Sequence, residues 1–202
     1  MAISLQKGQK IDLSKDGAQL KNLLIGLGWK EAQPERRGFF ASLKGKTEID
    51  IDASVLLLNK DGKYDHKNNI VYFGNKQDPS CSVVHAGDNL VGGKMTGMDD
   101  SEQIYVTLAT IPQAVERLVF VVNIYDCVAR RQHFGMVQNA YIRIVDRDSG
   151  ETIASYNLTE NYAGATSLVV GEIYRRNGAW KFNAIGQPYQ DAGLNDLVQR
   201  YR

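Results

Sequence analysis

The chain has 202 residues, 43% of them hydrophobic, and its 24 basic and 23 acidic side chains leave a net charge of +1. This balance argues against nucleic-acid binding, which usually needs a basic patch with aromatic side chains. No run of about eighteen apolar residues could span a membrane, and Met1-Ala2-Ile3-Ser4 is unlike the start of a signal peptide. We therefore expect a cytoplasmic protein without membrane insertion, and peripheral association stays open.

The hydrophobic pattern predicts an all-β protein, an antiparallel β-sandwich with short peripheral helices and a C-terminal helix. Short apolar runs rich in β-branched residues, bounded by turn residues, are typical of strands. The predicted strands cover residues 3–14 (two strands around a turn), 22–29, 48–57, 69–74, 103–111, 118–125, 140–145, 152–158, 167–175 and 180–185. Asn177-Gly178 indicates a tight hairpin between the last two. No linker divides residues 1–202, so we predict a single domain.

The C-terminal segment, residues 191–201, is predicted to be a short helix. Leu194, Leu197, Val198 and Tyr201 recur at helical spacing and would share one face.

Acidic side chains are concentrated between residues 48 and 102, where ten Asp and Glu accompany five Lys and no Arg, a local net charge of −5. Asp50, Asp52 and Ser54 alternate with apolar residues and would lie on one face of a strand. Asp50 and Asp52 would then be roughly 7 Å apart. Their charges repel unless a cation binds beside them. A solvated strand face is the alternative.

Two further oxygen-rich clusters follow in the sequence. Gly87-Asp88-Asn89 is typical of a turn, and Asp99, Asp100 and Glu102 precede a predicted strand. A glycine-rich loop between the two clusters could turn its carbonyls inward. Ca²⁺ takes six to eight oxygen ligands in a flexible geometry, whereas Mg²⁺ requires a rigid octahedron. We therefore predict a Ca²⁺ site; the alternative is a solvated cap before the strand.

Motifs of known enzyme classes are missing from the sequence. Its three histidines stand apart, without the spacing of a zinc site. There is no Gly-x-Ser-x-Gly and no P-loop. Cys81 and Cys127 are too few for a disulfide framework, and we expect Cys127 to be a buried apolar residue. We therefore expect no enzymatic activity. The alternative is a metal-dependent protein that binds a small anion or performs phosphoryl chemistry with the same acids.

Short motifs follow one another along nearly the whole chain. They are Gly-Leu-Gly-Trp (26–29), Ile-Asp-Ile-Asp-Ala-Ser (49–54), His-x-Gly-Asp-Asn (85–89), Asp-Asp-x-Glu-Gln-Ile (99–104), Asn-Ile-Tyr-Asp (123–126), Phe-Gly-Met-Val-Gln-Asn-Ala-Tyr (134–141), Gly-Glu-Ile-Tyr-Arg-Arg-Asn-Gly-Ala-Trp-Lys-Phe (171–182) and Ala-Ile-Gly-Gln (184–187). In this order they resemble the TerD-type family of bacterial tellurite-resistance and general-stress proteins.

This resemblance implies a calcium-binding β-sandwich that acts in stress response through protein partners, such as other stress-resistance proteins. The metal ligands that it implies are Asp50, Asp52, Asp88, Asn89, Asp99, Asp100 and Glu102. Ser54 and His85 are expected to support these ligands, and the alternative for His85 is the cap of a strand. The chain departs from the family pattern at Lys30, where Asp is usual, and at Ser101, which interrupts a usually contiguous acidic triplet.

Overall fold

The computed structural model describes residues 2–15, 17–31, 49–87, 100–158, 160 and 162–202. Two six-stranded sheets dominate this part of the chain. The first, in spatial order, contains β1 (Ile3–Leu5), β12 (Thr152–Asn157), β11 (Val137–Asp146), β5 (Asn22–Glu31), β9 (Glu102–Thr107) and β8 (Val83–His85). The second contains β2 (Lys10–Asp12), β14 (Ala179–Tyr189), β13 (Ser167–Arg176), β10 (Arg117–Ile124), β6 (Ile51–Leu58) and β7 (Ile70–Val71). A small hairpin joins β3 (Ser14–Lys15) to β4 (Ala18–Gln19).

The pairing of these strands confirms the predicted antiparallel β-sandwich. Every pair of neighbouring strands given above is antiparallel except β1 with β12, which is parallel. Alternate residues of both sheets form one shared core, because successive side chains of a strand point to opposite faces. In β6, Ile51, Ala53 and Val55 point into that core. Asp52 and Ser54 therefore face outward, as the alternation predicted.

The outer face of the second sheet carries a separate apolar cluster that the C-terminal segment covers. The helix α2 (Leu194–Val198) continues into a 3₁₀ turn, Gln199–Tyr201. Leu197 and Val198 are buried against outward-facing residues of the sheet, with Leu194 and Tyr201 packed beside them. This arrangement confirms the predicted C-terminal helix and its apolar face.

The remaining helices are short and peripheral, as predicted. They are α1 (Cys127–Arg130) and the 3₁₀ turns Lys67–Asn69, Leu108–Thr110 and Phe134–Met136. Cys127 is buried, as expected. None of the helices in the described ranges is both long and apolar enough to cross a membrane.

Turn chemistry explains where the structure follows the predicted elements and where it differs. Asn177 and Gly178 join β13 to β14 with φ values of 53° and 78°, the positive pair that a tight hairpin turn requires. Asp61-Gly62 lies in a local turn, which Asn59 Oδ1 closes by accepting hydrogen bonds from the N–H groups of Asp61 and Lys63. The connection from β6 to β7 thus runs over residues 59–69. The strands predicted over 69–74 and 103–111 end early, at Val71 and Thr107.

Candidate functional site

The start of β6 and the end of β10 bring oxygen-bearing side chains together on the outer face of the second sheet. Asp52 and Asn123 lie directly opposite each other in the register of the two strands. Asp50 precedes β6 and is exposed, and its carbonyl accepts a hydrogen bond of 2.8 Å from the N–H of Tyr125. Ser54 follows Asp52 on the same outer face. The predicted pair Asp52 and Ser54 therefore meets a third polar residue, Asn123, from a neighbouring strand.

Two of these side chains carry a buried oxygen that has no hydrogen-bond partner in the described part of the chain. Ser54 is 0% exposed and Asn123 is 4% exposed. Neither Ser54 Oγ nor Asn123 Oδ1 has a hydrogen-bond partner within the described residues. A buried polar group left unsatisfied costs about 1–3 kcal/mol. Two such atoms beside a carboxylate therefore indicate a place where a ligand or water molecule would be favourable.

A cavity of about 420 Å³ opens at this place, and we call it the Asp52 cavity. Its lining residues are Asp52, Ser54, Phe73, Asn123, Ile124, Tyr125, Asp126 and 192–196. They include the carboxylates of Asp52, Asp126 and Asp196, and no Lys, Arg or His belongs to this described lining. The cavity therefore has the charge and the acceptor groups to receive a cation.

Asp126 enters the cavity from the turn between β10 and α1. Its backbone is left-handed, with φ 51° and ψ 32°, a conformation in which Asp and Asn are enriched among non-glycine residues. Arg130 lies nearby, with Nε 3.6 Å from Asp126 Oδ2 and its guanidinium 5.2 Å from the ring centroid of Tyr125. The Asp126 side chain is half exposed, and exposed ion pairs contribute little to stability.

Asp100 has a different environment, on the outer face of the first sheet. Arg143 donates from Nε to Asp100 Oδ1 at 2.8 Å and from Nη2 to Oδ2 at 2.6 Å. Tyr141 Oη donates to Oδ1 and Gln103 Nε2 to Oδ2, both at 3.0 Å. The Asp100 side chain is 0% exposed. Four protein donors thus satisfy the carboxylate as the structure shows it.

A glycine makes this ion pair possible. Strand β5 lies between β11 and β9, and Gly26 pairs with Arg143 on one side and Gln103 on the other. A Cβ built on Gly26 would lie 2.5 Å from Asp100 Oδ2. Only a residue without a side chain lets Arg143 and Asp100 meet over the middle strand.

His85 and Glu102 form a third group, on neighbouring strands β8 and β9. His85 Nε2 lies 3.4 Å from Glu102 Oε2, and the two side chains are 1% and 8% exposed. His85 Nδ1 accepts the N–H of Gly87 at 2.9 Å, which leaves Nε2 as the nitrogen that can carry a proton toward the carboxylate. His85 thus contacts a predicted ligand, and metal binding by Glu102 stays a prediction.

These three groups share one end of the sandwich but face different directions. A small interior cavity is lined by Leu27 of β5, Ile51 of β6 and Val122 of β10. These parts of the three strands are therefore neighbours inside the sandwich. Asp52 faces outward from the second sheet and Asp100 outward from the first, and packed sheets are about 10 Å apart. The structure therefore brings Asp52 to Ser54 and Glu102 to His85, but not Asp52 to Asp100.

The remaining predicted ligands, Asp88, Asn89 and Asp99, lie outside the described residues. Within the described ranges, no three His, Cys, Asp or Glu side chains are grouped closely enough to hold a metal ion. Asn123 and Asp126 were not among the predicted ligands. The sequence feature that could have indicated these two residues is the Asn-Ile-Tyr-Asp motif at 123–126, which places an amide and a carboxylate at the end of an apolar strand.

Comparison with known proteins gives matches over the full chain. The TerD domain matches residues 1–201. The stress response protein SCP2 of Bacillus subtilis (strain 168) is 50% identical over 203 residues, which cover 100% of each chain. The tellurium resistance protein TerD of Serratia marcescens is 38% identical over 201 residues, covering 100% of this chain and 97% of the relative. The crystal structure of the unknown-function protein SAV2460 has a TM-score of 0.66 at 20% identity, covering 91% of this chain and 98% of that chain.

Proposed function

Because the chain belongs to the TerD domain family, among relatives named for stress response and tellurium resistance, we propose that it is a stress-response protein that binds Ca²⁺ and acts through partner proteins rather than as an enzyme. One observation carries the calcium proposal. Asn123 Oδ1 and Ser54 Oγ are buried without a hydrogen-bond partner in the described residues, next to Asp52. A cation would satisfy both oxygens.

The donor set fits a hard cation. Carboxylate, amide and hydroxyl oxygens surround the Asp52 cavity, and Ca²⁺ prefers such ligands in variable numbers. Asp52, Ser54, Asn123 and Asp126 would hold the ion, and Asp50 adds negative charge at the same strand end. Water molecules can supply the remaining oxygen ligands of Ca²⁺. The predicted ligands Asp88, Asn89 and Asp99 remain part of the proposal. Mg²⁺ is less suitable, because it requires a near-ideal octahedron.

Asp100 enters this proposal as a support of the fold and not as a ligand. Its two oxygens already accept four hydrogen bonds. A cation bound to Asp100 would displace the Arg143 guanidinium, which would then stay buried without a counter-charge. Direct binding of a small anion is disfavoured at the Asp52 cavity, because three carboxylates and no basic side chain line its described part. The alternative, a small anion held through a metal bound to the same acids, is tested by titrating Ca²⁺ with and without phosphate.

Calorimetric titration of chelator-treated protein with Ca²⁺, and separately with Mg²⁺, tests the proposal. We expect the wild type to bind Ca²⁺ more tightly than Mg²⁺, and the double variant Asp52→Asn/Asp126→Asn to bind Ca²⁺ at least tenfold more weakly. Asp61→Asn is the matched control, since it removes one exposed carboxylate beyond the opposite end of β6. Absence of Ca²⁺ binding by the wild type, or full Ca²⁺ affinity in the double variant, would contradict the proposed site.

A further inference from the structure

Exposed apolar side chains adjoin the Asp52 cavity. Five large hydrophobic side chains are exposed in the described ranges: Ile3, Phe73, Tyr125, Val128 and Met136. Phe73 and Tyr125, 49% and 50% exposed, line the cavity itself. Val128, 70% exposed, follows Asp126 by two residues in α1. Exposed apolar residues that lie together on a surface mark interaction sites.

The interior of the cavity selects for a cationic group with several donors. Ser54 Oγ and Asn123 Oδ1 are buried acceptors without partners among the described residues, and the lining carries three carboxylates. A guanidinium offers five N–H donors in one plane and also stacks on aromatic rings. The protein already places one guanidinium in this way, since that of Arg130 lies 5.2 Å from the Tyr125 ring centroid. A volume of about 420 Å³ accommodates a side chain of this size.

We propose that the Asp52 cavity binds an arginine side chain of a partner protein, whose flanking apolar residues pack on Phe73 and Tyr125. Arginine is enriched, with Trp and Tyr, among the residues that anchor protein interfaces. This inference rests on the proposed function, because both assume that the chain acts by binding a partner protein. Binding of the arginine itself requires no calcium. Ca²⁺ and the guanidinium would use the same oxygens of Asp52, Asn123 and Asp126. Calcium therefore competes with the partner and would regulate its binding.

The test is a titration of the full-length ¹⁵N-labelled protein, followed by NMR in the presence of a chelator. The probe is the blocked tripeptide acetyl-Leu-Arg-Leu-amide, with acetyl-Leu-Gln-Leu-amide as its uncharged counterpart and ethylguanidine as the free guanidinium. We expect the arginine peptide to shift the amide signals of Ser54, Asn123 and Tyr125. It should bind at least tenfold more tightly than either comparison compound. In a separate titration without chelator, saturating Ca²⁺ should weaken its binding.

Variants locate the binding in the cavity. Asp126→Asn should weaken the arginine peptide at least tenfold, and Asn tolerates the left-handed backbone at that position. Phe73→Ala should weaken the tripeptide more than it weakens ethylguanidine. Asp61→Asn should bind as the wild type does. The proposal is overturned if the glutamine peptide binds equally well, if ethylguanidine binds as tightly as the tripeptide, or if Asp126→Asn changes nothing.

The two proposals fail in different ways. If the protein binds the arginine peptide in chelator but shows no Ca²⁺ binding, the calcium site is refuted and the arginine site is supported. Calcium binding without any shift by the arginine peptide would refute only the arginine site. Peptide affinity unchanged by saturating Ca²⁺, in a protein shown to bind the ion, would contradict the competition between them.

Discussion

Arg143 and Asp100 form a two-point ion pair that crosses strand β5, and neither side chain is more than 2% exposed. The pair ties the start of β9 to β11 over the backbone of Gly26, which lies between them in the register. Removing one partner from a buried ion pair leaves an uncompensated charge and typically costs 3–5 kcal/mol. The pair therefore specifies how the chain enters β9.

The first prediction concerns Asp100→Asn. We expect it to lower the free energy of unfolding by about 3–5 kcal/mol, because Arg143 would stay buried without its counter-charge. Chemical denaturation of both proteins in chelator measures the change. Asp61→Asn, an exposed carboxylate next to Lys60, should cost less than about 1 kcal/mol. A stability of Asp100→Asn equal to that of the wild type would show that the carboxylate is not needed by Arg143.

The second prediction concerns Gly26→Ala. The added methyl would lie 2.5 Å from Asp100 Oδ2, and the carboxylate is held by four hydrogen bonds, so it cannot move away cheaply. Overpacking of this kind typically costs about 1–3 kcal/mol. Thermal unfolding measures the loss. Gly193→Ala is the control, because a Cβ there meets no atom within 4 Å. Equal effects of the two substitutions would contradict the close packing at Gly26.

The contrast between Asp52 and Asp100 shows how far the sequence could predict the site. Asp52 lies in a strand with period-two alternation, so its outward direction follows from local pattern alone. Asp100 belongs to an acidic run that the sequence predicts either to bind Ca²⁺ or to cap a strand in solvent. Its actual counter-charge is Arg143, distant in sequence and brought near by two strand pairings. No local pattern contains that partner.

The same reason explains Asn123. It occupies the end of the strand predicted over 118–125, which the structure shows as β10, between β13 and β6 in the second sheet. Its position opposite Asp52 depends on which residues of β10 and β6 pair, and a shift of one residue would turn the side chain to the other face. The fold class thus follows from local periodicity, whereas the site depends on register.

The third prediction compares two fully buried serines. Ser54 Oγ lacks a hydrogen-bond partner within the described residues, whereas Ser167 Oγ donates to Asp191 Oδ2 at 2.6 Å. In chelator we expect Ser54→Ala to be neutral or stabilising, because it removes an unsatisfied polar group. Ser167→Ala should cost about 1.5–3 kcal/mol, because it removes a hydrogen bond to a charged group. Chemical denaturation measures both. Equal losses would mean that Ser54 has a partner in solution.

The last prediction concerns alkaline pH and the C-terminal segment. Tyr201 packs on the outer apolar cluster of the second sheet, and burial, with the nearby Tyr189 and Glu172, raises the pKa of Tyr201 to about 12. A raised folded-state pKa means that the neutral hydroxyl contributes its full stability below the unfolded pKa of about 10. That contribution is lost as the pH rises from about 10 to about 12. We therefore expect Tyr201→Phe to lose less stability across this interval than the wild type loses, measured by chemical denaturation at a series of pH values.

Burial also raises the pKa of Tyr156, so the variant should retain part of the alkaline loss. Tyr125→Phe, which changes a half-exposed ring, should follow the wild-type profile. An unchanged profile for Tyr201→Phe would show that Tyr201 is not a source of the alkaline loss and that the end of the chain leaves the sheet before its hydroxyl ionises.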